Sequence, residues 1–412
     1  MLFVTVVINY MDRANLSVAA PLISAEFGLD TAQQGFLLSA FGWTYAALQL
    51  PGGWLVDRVR PRLLYPLCLV LWSVATIFMG VVGGFAALIV LRLAVGTFEA
   101  PAYPINNKVV TSWFPEKERA RAIGFYTSGQ FIGLALLTPA LTWLQHALSW
   151  HWIFVLTGVV GVLWGAVWYV AYHSPVDSRR ATAAEVEYIR DGGGLVDLET
   201  SRETARTRST WADLAVVLGR RKLWGIYLGQ FCLTSTLWFF LTWFPTYLVT
   251  YRHMDYIKSG FLASLPFLAA LVGVLLGGVV SDALVKRGIS VGTARKLPII
   301  TGLLLTMAMI GANFTDNTSA VIAFMSIAFF GNGLASITWS LVSAMAPARL
   351  IGLTGGMFNF IGNLSAIATP IVIGLLVSAT DFAPAFVYMT VVTSVGIASY
   401  VLLVGRVERV QD

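Results

Sequence analysis

About twelve times over, this chain alternates apolar runs of some 20 residues with short polar breaks, the pattern of helices that cross a bilayer. In hydrocarbon every backbone amide must find a partner, which restricts spanning segments to helices and closed barrels. The runs lie near 2–23, 33–56, 63–83, 85–107, 120–145, 151–172, 222–249, 257–283, 296–314, 318–345, 351–378 and 382–405. Runs of that length predict an all-α membrane protein. Composition agrees: 57% of residues are hydrophobic, 12% are charged, and the mean hydropathy is +0.75. An ordinary soluble domain carries about twice that charge fraction. No small-residue cleavage site precedes a polar mature region, so no signal peptide is expected. Only Met1 to Met11 precede Asp12, without a basic tail, so the first helix is short on that side of its acid.

The one long polar segment, His173 to Arg221, divides the runs into two sets of about six, the layout of two fused halves. The predicted organisation is a helical bundle over 1–172, a linker over 173–221 and a second bundle over 222–412. The linker contains Asp191-Gly192-Gly193-Gly194 and is expected to hold one short helix around Ala181 to Arg190. Its arginines (Arg179, Arg180, Arg190, Arg202, Arg206, Arg208, Arg220, Arg221) fall on the same side as Arg58, Arg60, Arg62, Lys108, Lys117, Arg119, Arg121 and Arg349. Only Arg252 and Lys258 fall opposite, and this asymmetry places both termini in the cytoplasm. It also accounts for the isoelectric point near 9.3 without any nucleic-acid partner.

Of the 21 acids, only Asp12 and Glu99 fall in mid-span, together with the bases Arg13 and Arg92. Charges at that depth cost several kcal/mol and mark function by default. Asp12 and Arg13 are adjacent, hence about 100° apart around their helix, and should serve different neighbours. Asp12 is expected to face a partner helix or proton path, and Arg13 a cavity that Tyr10 shares. Arg92 and Glu99 sit seven apart on nearly one face, about 10 Å from each other along the axis, too far for direct contact unless the side chains lean together. Pro101 and Pro104 should break the helix beside Glu99. Buried acids can carry protons, and an arginine can hold a carboxylate with two parallel donors. Those are the parts of an anion–proton symporter. A pair of structural intramembrane salt bridges is the plainer alternative.

Polar residues thread other runs: Tyr45, Gln49, Gln130, Gln230, Asn332, Ser336, Thr338, Trp339, Ser340, Asn359 and Asn363. Singly these are more often interhelical hydrogen bonds than ligand contacts; together they could line one cavity that reads hydroxyls. An internal echo links the halves. Gly53 precedes Asp57-Arg58 as Gly278 precedes Asp282, each glycine four residues before the acid on one helix face, where a small residue would let helices approach closely. No catalytic constellation, phosphate loop or metal-spaced His or Cys cluster is visible, and Cys68 and Cys232 fall in apolar runs. No cofactor is expected.

These residues carry a resemblance. Tyr10 to Leu16, Pro51-Gly52-Gly53-Trp54, Phe98-Glu99-Ala100-Pro101-Ala102, Thr111 to Arg119, Gly124 to Phe131, Thr236 to Pro245, Phe330 to Ser340 and Gly352 to Gly356 resemble the anion:cation symporters of the major facilitator superfamily. Within that family the chain is most similar to bacterial D-galactonate/proton symporters, and even the linker stretch Ile189 to Asp197 looks like theirs. The resemblance implies 12 transmembrane helices in two six-helix bundles with inverted repeats, alternating access and a place in the bacterial inner membrane. It implies that Asp12 and Glu99 carry protons and that Tyr10, Arg13, Tyr45, Arg92, Gln130, Gln230, Ser336, Thr338, Trp339 and Asn359 surround a sugar acid. It also marks Gly53, Asp57, Arg58, Gly278 and Asp282 as a gating motif. One departure is Arg60, where the superfamily's loop usually carries glycine.

The expected partners are a sugar acid, protons and the lipid bilayer, with the chain a monomer. A sister substrate such as glucarate or a hexuronate is the nearest alternative. A nutrient sensor on the same fold is the alternative of another class, but the linker is thin for an output domain. A membrane enzyme lacks its catalytic groups.

Overall fold

A computed structural model describes residues 1–198, 211–347 and 350–409. Arg202, Arg206, Arg208 and Arg349 of the basic set lie outside these described residues. Among the described residues there are helices and turns and no strand. In chain order the helices are α1 (Leu2–Phe27), α2 (Thr31–Ala47), α3 (Gln49–Arg58), α4 (Pro61–Met79), α5 (Phe85–Glu99), α6 (Ala102–Trp113), α7 (Glu116–Ala147), α8 (Trp150–Ala171), α9 (Ala183–Asp191) and α10 (Trp211–Gly219). They continue as α11 (Arg221–Thr242), α12 (Phe244–Thr246), α13 (Tyr256–Lys286), α14 (Val291–Thr306), α15 (Thr318–Ala335), α16 (Trp339–Met345), α17 (Ile351–Asn363), α18 (Ser365–Leu376) and α19 (Ala383–Ala398).

By length and composition, 8 described stretches can cross a membrane, or up to 9 if α11 and its continuation Phe244–Tyr251, bent by 47°, count as one span. The expected spans at 2–23, 33–56 and 120–145 are helical too, as α1, α2 with α3, and α7, but are not among these 8; α2 and α3 are only 17 and 10 residues long, and all three stretches carry polar side chains. α1 holds Asn9, Asp12, Arg13 and Asn15, α2 holds Ser39, Thr44 and Tyr45, and α7 holds Gln130 and a charged first turn.

The chain forms two compact units. The first comprises Met1–Asn15, Ala40–Leu134 and Ala147–Thr207; the second comprises Leu16–Ser39, Ala135–His146 and Arg208–Asp412. In the first, α4 lies along α8, where glycines let the backbones approach: a Cβ on Gly158 would stand 2.6 Å from the Ser73 carbonyl oxygen. Apolar side chains on the other side of α8, such as Leu163 and Val170, are exposed, as suits a lipid-facing surface. The expected linker helix is present as α9, started by a capping box between Thr182 and Glu185. Its end is shaped by the glycine run: Gly193 adopts φ 82°, and the Gly194 N–H donates to the Ile189 carbonyl at 2.7 Å. This turn is tied to the α6–α7 corner by Glu116 N–H to Gly192 O at 2.8 Å, Leu195 N–H to Thr111 O at 3.0 Å and Arg119 to Gly193 O at 2.6 Å.

In the second unit α15 packs between α13 and α14, again through glycine. A Cβ on Gly331 would lie 2.9 Å from the Thr306 amide nitrogen, and one on Gly333 2.9 Å from the Ala270 carbonyl carbon. Phe240 stacks on Phe329 at 4.1 Å within a larger aromatic core. α10 was not expected; it packs through the fully buried Val217 onto the core that includes Tyr227, Leu303 and Phe358. The C-terminal part of α1 and the N-terminal part of α2 also join this unit. Ser17 donates to the Thr242 carbonyl at 3.1 Å, Gln34 to Thr246 at 3.0 Å and Thr31 to the Val377 carbonyl at 3.2 Å.

Candidate functional site

α1 is continuous through its charged centre, so Asp12 and Arg13 do point to different neighbours. Asp12 faces α4 and α8. The Trp72 indole N–H donates to its Oδ2 at 3.0 Å, and Asn15 donates to its Oδ1 at 3.3 Å while also donating to Thr157 at 2.7 Å. Both carboxylate oxygens are thus served by neutral donors. These fix the geometry of the group without supplying a full opposite charge.

Arg13 turns instead to α5. Its Nε donates to Glu99 Oε1 at 2.9 Å, and its Nη2 forms an ion pair with the same oxygen. The guanidinium also lies over the rings of Tyr10, Phe41 and Tyr45, at 4.6, 4.9 and 5.0 Å from their centroids. Glu99 is wholly buried and Arg13 only 6% exposed. The sequence placed Glu99 on the face of Arg92; the structure gives it to Arg13, on another helix. The helix breaks where the prolines require it: α5 ends at Glu99, and Ala100 and Pro101 intervene before α6. Pro101 has no N–H for the Thr97 carbonyl, which loosens the backbone beside the acid.

Arg92 is buried under Phe41, its guanidinium 5.3 Å from the ring. It makes one long hydrogen bond, 3.5 Å to the Asp12 carbonyl, and its Nε meets no protein acceptor. An arginine with unclaimed donors inside an apolar layer is suited to take a carboxylate. Tyr10 and Tyr45 are buried around Arg13, and Gln130 is half-buried on α7.

The remaining candidates lie in the second unit. Thr338 donates to the Gln230 side-chain oxygen at 2.9 Å. Gly362 makes room for that glutamine, since a Cβ there would stand 2.8 Å from its Cγ. Ser336 to Thr338 form a 3-10 turn between α15 and α16, a local departure of the kind that marks functional segments. Trp339 follows, 49% exposed, with its ring edge on Phe358 at 4.9 Å. Asn363 donates to the Asn359 side chain at 3.1 Å. Asn332, by contrast, is spent on the Leu233 carbonyl at 2.7 Å. Among the described residues, this unit buries no lysine or arginine.

The close-approach role expected at Gly53 and Gly278 needs correcting. A Cβ at either would meet nothing within 4 Å; the neighbours carry the contacts, Gly52 against Pro101 at 3.5 Å and Gly277 against the Leu334 carbonyl oxygen at 2.6 Å. Arg58 and Asp282 are exposed, and the Asp57 side chain lies outside the described residues. Sequence reasoning missed Trp72 and Thr157. Neither residue type stands out in an apolar run, and only the folded helices bring them to Asp12. Cys68 and Cys232 are buried thiols, and among the described residues no group of acids, histidines and cysteines could hold a metal.

Comparison with known proteins agrees with this picture. The Major Facilitator Superfamily model matches residues 2–370. The chain is 54% identical over 411 residues to a "D-galactonate transporter" of Escherichia coli O6:H1, covering 100% of this chain and 95% of that one. It is 43% identical over 417 residues to the "Probable galactarate/D-glucarate transporter" of Bacillus subtilis, covering 100% and 92%. Among solved structures, an inward-facing bacterial homologue of the human lysosomal transporter Spinster aligns with TM-score 0.70 at 20% identity, over 98% of this chain and 93% of that one. With a family model across most of its length and a full-length relative at this identity, the chain belongs to the Major Facilitator Superfamily.

Proposed function

We propose that this chain imports a six-carbon sugar acid, D-galactonate first among them, by proton symport with alternating access. The observation that carries the reading is the buried Arg13–Glu99 pair, with Arg92 and its unclaimed donors nearby on α5. A proton on Glu99 cancels the charge that holds Arg13. The guanidinium is then released to a substrate carboxylate, which restores the balance of charge in the low-dielectric interior. Anion and proton therefore enter together. Once the substrate has dissociated on the cytoplasmic side, loss of the proton lets Glu99 reclaim Arg13 and resets the carrier. Asp12, held by Trp72 and Asn15, serves as the second proton carrier.

The neutral set of the second unit, Gln230, Ser336, Thr338, Trp339 and Asn359, reads the hydroxyl groups, with Tyr10, Tyr45 and Gln130 completing the contacts. Because that set contains no buried cation, a monocarboxylate fits better than a diacid such as galactarate or glucarate. In this reading the bundles over 1–172 and 222–412 are joined by a cytoplasmic linker over 173–221, both termini face the cytoplasm of a bacterial inner membrane, and the chain acts as a monomer. Gly53, Asp57, Arg58, Gly278 and Asp282 act at the gate through their charges and helix ends.

Counterflow into proteoliposomes preloaded with D-galactonate tests the substrate. Unlabelled D-galactonate should compete strongly, a hexuronate less, and galactarate and glucarate weakly. Preference for a diacid would overturn the assignment, and absence of any exchange would favour a sensor.

A further inference from the structure

Three side chains on one face of the α5–α6 span are spaced by seven: Glu99, Asn106 and Trp113. Seven residues make nearly two full turns, so the three share a face across the proline break and extend over about 21 Å of helix. Each presents a buried polar atom without a protein partner: Glu99 Oε2, Asn106 Nδ2 and Trp113 Nε1. On α1, one turn before Arg13, Asn9 is wholly buried with both amide atoms equally unpartnered. On α4, Tyr65 donates to Asn106 Oδ1 at 2.6 Å. It lies seven residues before Trp72, the donor to Asp12, so the Tyr65–Asn106 rung sits about 10 Å along the bundle from the rung of Asp12 and Glu99. Trp113 is the last residue of α6, where the linker turn docks.

Buried polar atoms are nearly always satisfied, and those that protein leaves unsatisfied are satisfied by internal water. A series of them between two intramembrane acids and the end of a helix is a water-binding track. We propose that Asn9, Asn106, Tyr65 and Trp113 line an internal proton exit within the first unit, leading from Glu99 to the cytoplasmic end of α6 apart from the path that the substrate takes.

The proposal rests on the symport reading given above. The proton leaves the Glu99 carboxyl for a bound water and restores the carboxylate that pairs with Arg13. It passes between waters held by the two asparagines, which keep their own protonation. Tyr65 can relay once its hydroxyl turns from Asn106 to a neighbouring water, giving that water its proton while accepting one from the water on the Glu99 side, and an equal proton emerges in the cytoplasm. The indole N–H of Trp113 orients the last water without titrating.

These are positioning residues, so the test separates proton movement from substrate movement. In proteoliposomes with a trapped pH dye, net uptake driven by substrate is compared with exchange of labelled for unlabelled substrate at equal pH, which needs no proton release. Asn106→Leu should slow net uptake and internal acidification by about tenfold, the loss of one buried hydrogen-bonding site, and leave exchange within about twofold. Asn106→Ser, which keeps a hydroxyl, should recover most of the acidification. Tyr65→Phe, which keeps the ring against Trp168 at 4.5 Å, should slow it as well, and supplies the test if Asn106→Leu does not fold. Equal losses of exchange and net uptake would assign these residues a structural role and overturn the proposal, as would variants that acidify at the unaltered rate. Failure of the unaltered protein to acidify the lumen would instead overturn proton symport itself.

Discussion

Replacing Glu99 by glutamine mimics the protonated acid permanently, and its consequences follow from the geometry of the pair. Arg13 makes two contacts to Glu99 Oε1, one of them measuring 2.9 Å, with both residues buried. A hydrogen bond to a charged group is worth about 1.5–3 kcal/mol and a neutral one about 1 kcal/mol. Weakening two such bonds therefore removes roughly 1–4 kcal/mol of hold on Arg13, mostly below the ~3–5 kcal/mol that stranding a buried charge outright can cost. Without substrate the variant should melt earlier than the unaltered protein. A substrate carboxylate no longer competes with Glu99 for the guanidinium, so affinity should rise by roughly fivefold to nearly a thousandfold. Calorimetric titration with D-galactonate in detergent, with melting curves at several substrate concentrations, measures both effects. Proton-driven accumulation should vanish, because the mimic neither loads nor releases a proton, while exchange persists. Unchanged affinity together with an unchanged melting point would refute the competition between Glu99 and substrate.

Asp12→Asn should likewise abolish accumulation under a pH gradient and keep exchange, since an amide still accepts from Trp72 at Oδ1; a variant that concentrates substrate would remove Asp12 from coupling. Arg13→Lys should weaken transport far more than retention of charge suggests, because a point charge replaces the planar fork and the stacking on Tyr10, Phe41 and Tyr45; near-normal affinity in uptake assays would make Arg13 structural. With a monoanion and two proton carriers, uptake should respond to a potassium-diffusion potential imposed at equal pH, at about 2.3 kcal/mol per charge per 100 mV; indifference to it would leave one acid outside the cycle. Gly331→Ala should lower the melting temperature by forcing a methyl to within 2.9 Å of the Thr306 nitrogen, at a cost of about 1–3 kcal/mol, while substrate affinity stays put; an unaltered melt would show that α14 and α15 can part without penalty.

The sequence reveals Asp12 and Arg13 because ionised groups in an apolar run have no cheap explanation, and helical periodicity alone sends them to different neighbours. It does not reveal where Arg13 goes. Glu99 is 86 positions away, and periodicity along its own helix puts it only on the face of Arg92, about two turns off. Only the packing of α1 beside α5 decides between the two. Trp72 is hidden for another reason: an indole in an apolar run is ordinarily core or interface, and nothing local distinguishes one that donates to an acid. Asn15 sits in the stretch that drew attention, yet the Thr157 to which it also donates lies 142 positions further along the chain. The echo of Gly53 and Gly278 misled in detail, since a small residue signals that close approach is possible without saying which face uses it. The helix over Trp211–Gly219 was masked by the charged composition around it, although Leu214 to Leu218 are apolar enough to pack.

The distribution of charge suggests why one scaffold can serve several sugar acids. Among the described residues, both buried arginines and both mid-span acids belong to the first unit, whereas the candidates in the second are amides, hydroxyls and an indole. Moving a proton together with an anion requires ionised groups whose charges must balance at every step, so substitutions among them disturb coupling whatever the substrate. Reading hydroxyl stereochemistry requires only neutral donors and acceptors, each worth about 1–3 kcal/mol against a substrate that leaves it unpaired. In the proposed reading, changes at Gln230, Thr338 or Asn359 would then alter which aldonate is accepted without altering how many protons accompany it. A second carboxylate is a different demand, because it brings a charge to a region that, among the described residues, offers no buried cation to meet it. A diacid carrier built on this plan would therefore need a new base in its second half, or would have to take its substrate singly protonated.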